Sequence, residues 1–344
     1  MLKRFCALRV ATGLALMSMW IAGPAHTATL DFYKGKTIRI VVGFSPGGGF
    51  DTYSRTIARY MGKHIPGDPT IIVDNMAGAG SLIAANHTYK VAKPDGLTIG
   101  HFIGGLFQQQ LLGRPGIEFD ARKFEYIGVP VEESTACALT KASGITSMEA
   151  WLASKKPVKL GGTAPGAVAE DIPRILKATL GLPIQLVSGY KGTSDVRVAA
   201  ESGELAGGCW AWESIRTTWR AGIESGDVVV VLQAMPKPHP DIPNVPLAIS
   251  FAKTEEARQL IQAGVHDLSA VNRPYALPPG TPAERVQLLR KAFMDTLQSP
   301  DFLAEAKKSK MDITPTAGEE VERIINRLFQ LDPALVAKLK EILG

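Results

Sequence analysis

Gly43-Phe44-Ser45-Pro46-Gly47 matches the G-x-S-x-G pattern that carries a nucleophilic serine on a strand-to-helix turn. In that chemistry the residue after the serine donates its backbone N–H to the developing oxyanion. Here that residue is Pro46, which has no N–H. The match also falls on the first strand after an N-terminal leader, whereas a hydrolase sheet normally places several strands before the elbow. A secreted serine hydrolase using Ser45 is therefore the less favoured reading. The same residues suit another chemistry. An apolar, β-branched run from Ile38 to Val42 enters a loop containing Gly47-Gly48-Gly49, and a helical pattern follows with Tyr53, Ile57, Tyr60 and Met61 at offsets of three and four. A strand, a glycine loop and a helix N-terminus in that order make an anion seat, because backbone N–H groups point outward and the helix dipole favours negative charge.

Three further glycine-rich segments stand at strand-to-helix junctions. They are Asp74-Asn75-Met76-Ala77-Gly78-Ala79-Gly80-Ser81, Leu160-Gly161-Gly162-Thr163-Ala164-Pro165-Gly166 and Ser188-Gly189-Tyr190-Lys191-Gly192-Thr193-Ser194-Asp195. One such loop alone is a turn. Four of them, divided between two halves of the chain, fit the rule that open α/β sheets bind ligands at the carboxyl ends of their strands. Trp210, Trp212 and Glu213 follow Gly207-Gly208-Cys209, and the two rings are candidates either for packing or for lining a cleft.

Other chemistries find little support. His64, His87, His101, His239 and His266 show no H-x-x-x-H pair and no His/Cys cluster, so no metal site is expected. Neither the phosphate-binding G-x-x-x-x-G-K-[ST] loop nor the dinucleotide G-x-G-x-x-G pattern is present at the glycine loop, so no cofactor is expected. The formal charge of the 344 residues is +5, but three basic residues, Lys3, Arg4 and Arg9, precede an apolar run over 10–22. That run, followed by small residues up to Ala28, reads as a signal peptide over 1–28 and is too short to span a bilayer comfortably. Without it, 35 basic residues face 33 acidic ones and no polybasic run remains, which argues against nucleic acid as a partner. Cys137 and Cys209 remain in an exported chain. That compartment permits a disulfide, two buried thiols are the alternative, and the sequence leaves both open.

The elements that must position these loops alternate. Strands are expected over 37–44, 70–75, 98–102, 126–131, 136–139, 158–161, 184–187 and 228–232. Helices are expected over 52–64, 80–91, 147–154, 167–180 and 193–202. Alternation of this kind predicts α/β architecture with two mostly parallel sheets flanked by helices. The last third reads as helices over 254–263, 282–297, 300–309, 318–329 and 333–343, after a proline-rich crossover at 236–246. We divide the chain into lobe 1 (29–130 plus 236–344) and lobe 2 (131–235), with a ligand cleft and a hinge between them.

At this level the chain resembles the substrate-binding proteins of tripartite tricarboxylate transporters, the Bug family. The family's strand followed by Pro-x-Pro-Pro-Gly-Gly-x-x-Asp is similar to Phe44-Ser45-Pro46-Gly47-Gly48-Gly49-Phe50-Asp51. Its Asn-Arg-Pro-Gly-Ala-Gly-Gly resembles Asn75-Met76-Ala77-Gly78-Ala79-Gly80-Ser81, with Met76-Ala77 in place of Arg-Pro. Its Ala-x-Pro-Asp-Gly-Tyr-Thr resembles Ala92-Lys93-Pro94-Asp95-Gly96-Leu97-Thr98, and its Tyr-Lys-Gly turn resembles Tyr190-Lys191-Gly192. The segment 207–214, with two tryptophans, departs from the family's small and polar stretch. The matches run from about residue 36 to 330.

The resemblance implies a two-lobed periplasmic binding protein of type II-like fold that is not an enzyme. It implies a small organic carboxylate held by backbone N–H groups of both lobes, often through ordered water, and delivered to membrane permease subunits. Ser45, Gly47, Gly48, Gly49 and Asp51 are then expected in the first-lobe seat, with Asp51 capping the helix rather than touching the anion. Thr163, Ala164, Tyr190, Gly192 and Thr193 are expected in the second, with Lys191 steering the anion. Phe44, Gly104, Gly105, Tyr190, Trp210 and Trp212 are expected to set specificity. The protein is expected to be a monomer, and a sensing receptor without its own permease is the alternative.

Overall fold

The computed structural model describes residues 32–344; the signal peptide expected over 1–28 lies outside the described residues. Among the described residues, eleven strands form two sheets: β1 (Thr37–Val42), β2 (Thr70–Asn75), β3 (Thr98–His101), β4 (Glu125–Val129), β5 (Thr135–Thr140), β6 (Val158–Gly161), β7 (Ile184–Val187), β8 (Gly207–Ala211), β9 (Val228–Ala234), β10 (Tyr275–Leu277) and β11 (Thr316–Ala317). The first sheet has the order β11-β4-β10-β3-β1-β2 and the second β7-β6-β8-β5-β9. The helices are α1 (Gly49–Met61), α2 (Leu82–Lys90), α3 (Gly105–Leu111), α4 (Met148–Leu152), α5 (Val168–Leu180), α6 (Thr193–Glu201), α7 (Trp212–Thr218), α8 (Arg220–Ser225), α9 (Glu255–Ile261), α10 (Ala283–Gln298), α11 (Pro300–Lys308), α12 (Gly318–Leu328) and α13 (Pro333–Leu343).

The apolar run of β1 forms a central strand because it is covered on both faces. Ile38, Ile40 and Val42 are fully buried, and the strand pairs in parallel with β2 and β3. On one face, Tyr53, Ile57 and Met61 of α1 pack with Val286, Leu289 and Phe293 of α10, so the offsets read from the sequence do mark the core face. In the second sheet, Ile172, Ile175 and Leu176 of α5 cover Leu160 and Ile184.

The α/β architecture agrees with expectation, but the sheets are mixed rather than mostly parallel. β10 runs antiparallel to β3 and β4, and β5 runs antiparallel to β8 and β9. The chain leaves the first sheet after β4 and re-enters it at β10, which runs against its neighbours, while β5, the strand on which it enters the second sheet, runs against β8 and β9. The missing strands account for the misreading. β10 has three residues between two prolines, β11 has two, and β8 begins Gly207-Gly208, a poor strand signal. Gly207 sits there because a Cβ would lie 2.1 Å from the Ala138 carbonyl oxygen of the neighbouring strand.

Cys137 and Cys209 face each other in the β5–β8 register and form a disulfide, which settles the alternative left open by the sequence. The proline-rich segment does not cross between lobes. Gln233 of β9 gathers it, donating to the carbonyls of Ile242 (3.0 Å) and Val245 (2.6 Å) and accepting from His239 N (2.8 Å). Residues of α9 and α13, read as part of the first lobe, pack in the core of the second sheet through Leu260, Ile261, Leu339 and Leu343. The chain returns to the first sheet only at β10.

Candidate ligand-binding cleft

The loop after β1 turns sharply at Gly47, whose φ of +84° suits glycine alone. Its N–H donates to Asp51 Oδ2 at 2.9 Å. The other Asp51 oxygen accepts from Asn75 Nδ2 at 2.9 Å, and the same Asn75 amide donates to the Phe44 carbonyl at 2.9 Å. Arg55 Nε adds a third bond to Asp51, also at 2.9 Å. Asp51 is therefore a buried clasp that folds the loop, not an N-cap. Burial pushes its carboxyl up, but the bonds from Arg55, Gly47 and Asn75 outweigh it and hold the group below its ordinary value. Gly48 takes the N-cap position with no side-chain cap, so the first N–H groups of α1 are left for an outside acceptor. Ser45, Gly47 and Gly48 are exposed and Gly49 half-buried. Ser45 has none of the surroundings of a nucleophile elbow, since Pro46 offers no N–H. The Phe44 ring lies 4.5 Å from Phe50.

The loop after β2 packs against this turn. Ala79, Gly80 and Ser81 hold left-handed backbone in succession, a conformation costing about 1 kcal/mol or more at each non-glycine residue. Ser81 is anchored by accepting the Ile103 N–H at 3.0 Å. A Cβ on Gly80 would stand 3.3 Å from the Ala164 Cβ, so this strained turn faces the second half of the molecule.

In the second sheet the β6–β7 pairing continues past the strands. Gly189 N donates to the Thr163 carbonyl (3.1 Å) and Tyr190 N to the Gly162 carbonyl (3.2 Å). The two loops expected to act together, Thr163-Ala164 and Tyr190–Thr193, are thereby joined. Gly192 caps α6 without a side-chain bond. Tyr190 gives its hydroxyl to Glu204 Oε1 at 2.7 Å, and this bond pushes the phenol up to about 12. Lys191 is exposed.

Four of the expected specificity residues do not line the cleft. Trp210 is 3% exposed and stacks on Trp219, ring centroids 5.4 Å apart. Trp212 is buried too, with its Nε1–H on Asp241 Oδ2 at 3.3 Å. Both rings belong to one core cluster, Trp210 as a residue of the central strand β8 and Trp212 as the first residue of α7. Gly104 and Gly105 are packing glycines. A Cβ on Gly104 would lie 2.0 Å from the Val271 carbonyl oxygen, and one on Gly105 would lie 2.0 Å from that of Gly166. Gly105 against Gly166 is one place where the two halves touch. Beside that contact, Asp171 Oδ2 accepts from Gln109 Nε2 (3.1 Å) and from Gly166 N (3.0 Å). Burial, opposed by those two bonds and aided by Glu170, pushes the Asp171 carboxyl up to about 7. A cavity of about 30 Å³ there, lined by Gln108, Glu133, Asp171 and Asn272 among others, seats a water or two and not an organic ligand.

The sequence reading missed Arg273 and Glu133, which the crossing segments bring to the same edge of the first sheet. The only signal was an arginine next to Pro274, two residues before a strand too short to recognise.

The model of the tripartite tricarboxylate transporter family receptor matches residues 54–340. The chain is 24% identical over 343 residues to the UPF0065 protein in the gbd 5′ region of Cupriavidus necator, covering 98% of each. Among solved structures, the periplasmic binding protein BugD is similar with a TM-score of 0.71 at 20% identity, over 90% of this chain and 98% of that one. The R. palustris protein Rpa4515, solved with adipate, gives the same TM-score, identity and coverage. With the family model spanning most of the chain and the fold shared, the chain belongs to the tripartite tricarboxylate transporter receptor family and is a periplasmic solute-binding receptor rather than an enzyme.

Proposed function

We propose that this receptor captures a small organic carboxylate between its lobes and delivers it to the permease subunits of a tripartite tricarboxylate-type transporter. Two observations support the reading: the uncapped N-terminus of α1, and the joined Thr163-Ala164 and Tyr190–Thr193 loops of the second sheet, which the neighbouring β2–α2 turn approaches where Gly80 meets Ala164. Ser45, Gly47, Gly48 and Gly49 form one seat, ordered by Asp51; Thr163, Ala164, Gly192 and Thr193 form the other. Lys191, exposed beside the second seat, draws the anion in. Neutral amides at helix starts hold a carboxylate yet release it, as a delivering receptor requires. Phe44 and Tyr190 are the remaining candidates for specificity, the Tyr190 hydroxyl being held by Glu204. The leader over 1–28 directs export, and the receptor acts as a monomer. The adipate bound to Rpa4515 supports the ligand class.

A thermal-shift screen of C4 to C6 dicarboxylates, aromatic acids and amino acids tests the reading. A ligand at 100 times its Kd adds about 2.7 kcal/mol, enough to raise Tm visibly. A flat response to every carboxylate contradicts it.

A further inference from the structure

We propose that Arg273 is a ligand-contacting residue that supplies a formal positive charge to the first-lobe seat, so that this receptor binds its carboxylate through a guanidinium as well as through backbone amides. The inference rests on the reading of the cleft as a carboxylate site.

The topology delivers the residue there. β10 runs antiparallel to β3 with Tyr275 opposite His101, so the residues before β10 arrive at the carboxyl edge of β1 and β3, where the glycine loops are. Gly104 N fixes that approach by donating to the Asn272 carbonyl at 3.0 Å. Arg273 is 4% exposed. Its guanidinium lies 4.7 Å from the Phe50 ring centroid and 5.4 Å from that of Tyr53, two residues in the first turns of α1. Its Nη1 stands 2.9 Å from the place a Cβ on Gly49 would take. The cation is therefore held beside the first residue of the helix whose free N–H groups form the seat, and both point to the same charge.

Nε and Nη1 of Arg273 have no hydrogen-bond partner. Glu133 Oε2 is 3.6 Å from Nε, beyond a hydrogen bond, and that carboxylate is taken up by Asn272 Nδ2. Glu133 and Glu213 offset the cation's charge. That keeps a buried guanidinium in the fold without using those two donors. Buried donors without partners are costly, and a planar guanidinium clamped on two rings needs little further ordering to meet a carboxylate admitted beside it. Bonds of this kind are the stronger, charge-assisted class.

The test titrates succinate, malate and adipate into the wild type, Arg273→Gln and Arg273→Lys by calorimetry, with the melting temperature of each ligand-free protein. For whichever acid the wild type binds, Arg273→Gln is expected to lose at least 30-fold in affinity. Arg273→Lys, which keeps the charge but loses the planar fork and its stacking, is expected to lose clearly less than Arg273→Gln and to stay within about tenfold of the wild type. Wild-type affinity in Arg273→Gln overturns the inference. Equal losses in the Gln and Lys variants, with lowered ligand-free melting, also overturn it and assign Arg273 to packing. Should the Gln variant fail to fold, the Lys variant decides alone: affinity within tenfold supports the charge role, and a larger loss refutes it. If the wild type binds none of the acids, the carboxylate reading itself falls and the inference with it, a result distinct from a change in the variants.

Discussion

Asp51 shows how one side chain sets the geometry of the seat. Its carboxylate closes the glycine turn through Gly47, ties it to β2 through Asn75, and is anchored by Arg55. Its held-down carboxyl means the native state favours the ionised form. That stabilisation is present above the unfolded carboxylate range near pH 4 and is lost as pH falls through the lower native value. We therefore expect Asp51→Asn to cost about 1–3 kcal/mol at pH 7, a penalty that shrinks as pH falls below the unfolded carboxylate range, measured by urea unfolding at each pH. A constant penalty across that range would show that the charge is irrelevant. The sequence placed Asp51 at the loop but misread it as a cap, because Asn75 and Arg55, the partners that recruit it, lie 24 and four residues away.

At the scale of elements, the loops after β1, β2, β6 and β7 were all legible, since glycine runs between an apolar strand and an amphipathic helix carry a local signal. The strands β8 and β10 were not, because glycine-rich or three-residue strands owe their existence to the neighbours that pair with them. That gap misplaced Trp210 and Trp212 in the cleft and hid Arg273. The contact between α3 and the start of α5 was equally invisible, yet it yields a pH prediction. Asp171, raised to about 7, retains in the native state a proton that the unfolded chain releases between about pH 4 and 7. Its contribution to stability therefore falls as pH rises through that window. Asp171→Asn mimics the protonated group and keeps an acceptor for Gly166 and Gln109. Its Tm relative to wild type should rise by a few degrees between pH 5 and pH 8. A difference that is flat or falls over this range contradicts the assignment.

At the scale of the molecule, the two halves meet at a few points. Gly105 touches Gly166, Gly80 faces Ala164, and Arg216 of α7 reaches across to Asp312 Oδ1 (2.8 Å) and the Lys310 carbonyl (2.9 Å). The close approach of the two halves here requires Gly105 to have no side chain, because its Cβ would overlap the Gly166 oxygen. Gly105→Ala should leave each half folded but weaken ligand binding at least tenfold, and small-angle scattering should show less compaction on adding ligand than in the wild type. Unchanged affinity and compaction would mean that the halves do not need this approach. The two-lobed plan was readable from the alternation of strands and helices, whereas the lobe membership of α9 and α13 was decided by long-range packing that no local pattern reveals. The central claim is that uncapped glycine N–H groups of α1 seat a carboxylate. It is tested most directly by calorimetric titration of the carboxylate selected in the screen into wild type and Gly48→Asp. Gly48 is exposed, its φ is −83°, and a Cβ there would have only the Ser45 oxygen within reach at 3.9 Å, so the variant should fold normally. The account predicts one-to-one binding by the wild type and none by Gly48→Asp at unchanged ligand-free Tm; equal affinity in the two proteins would contradict it.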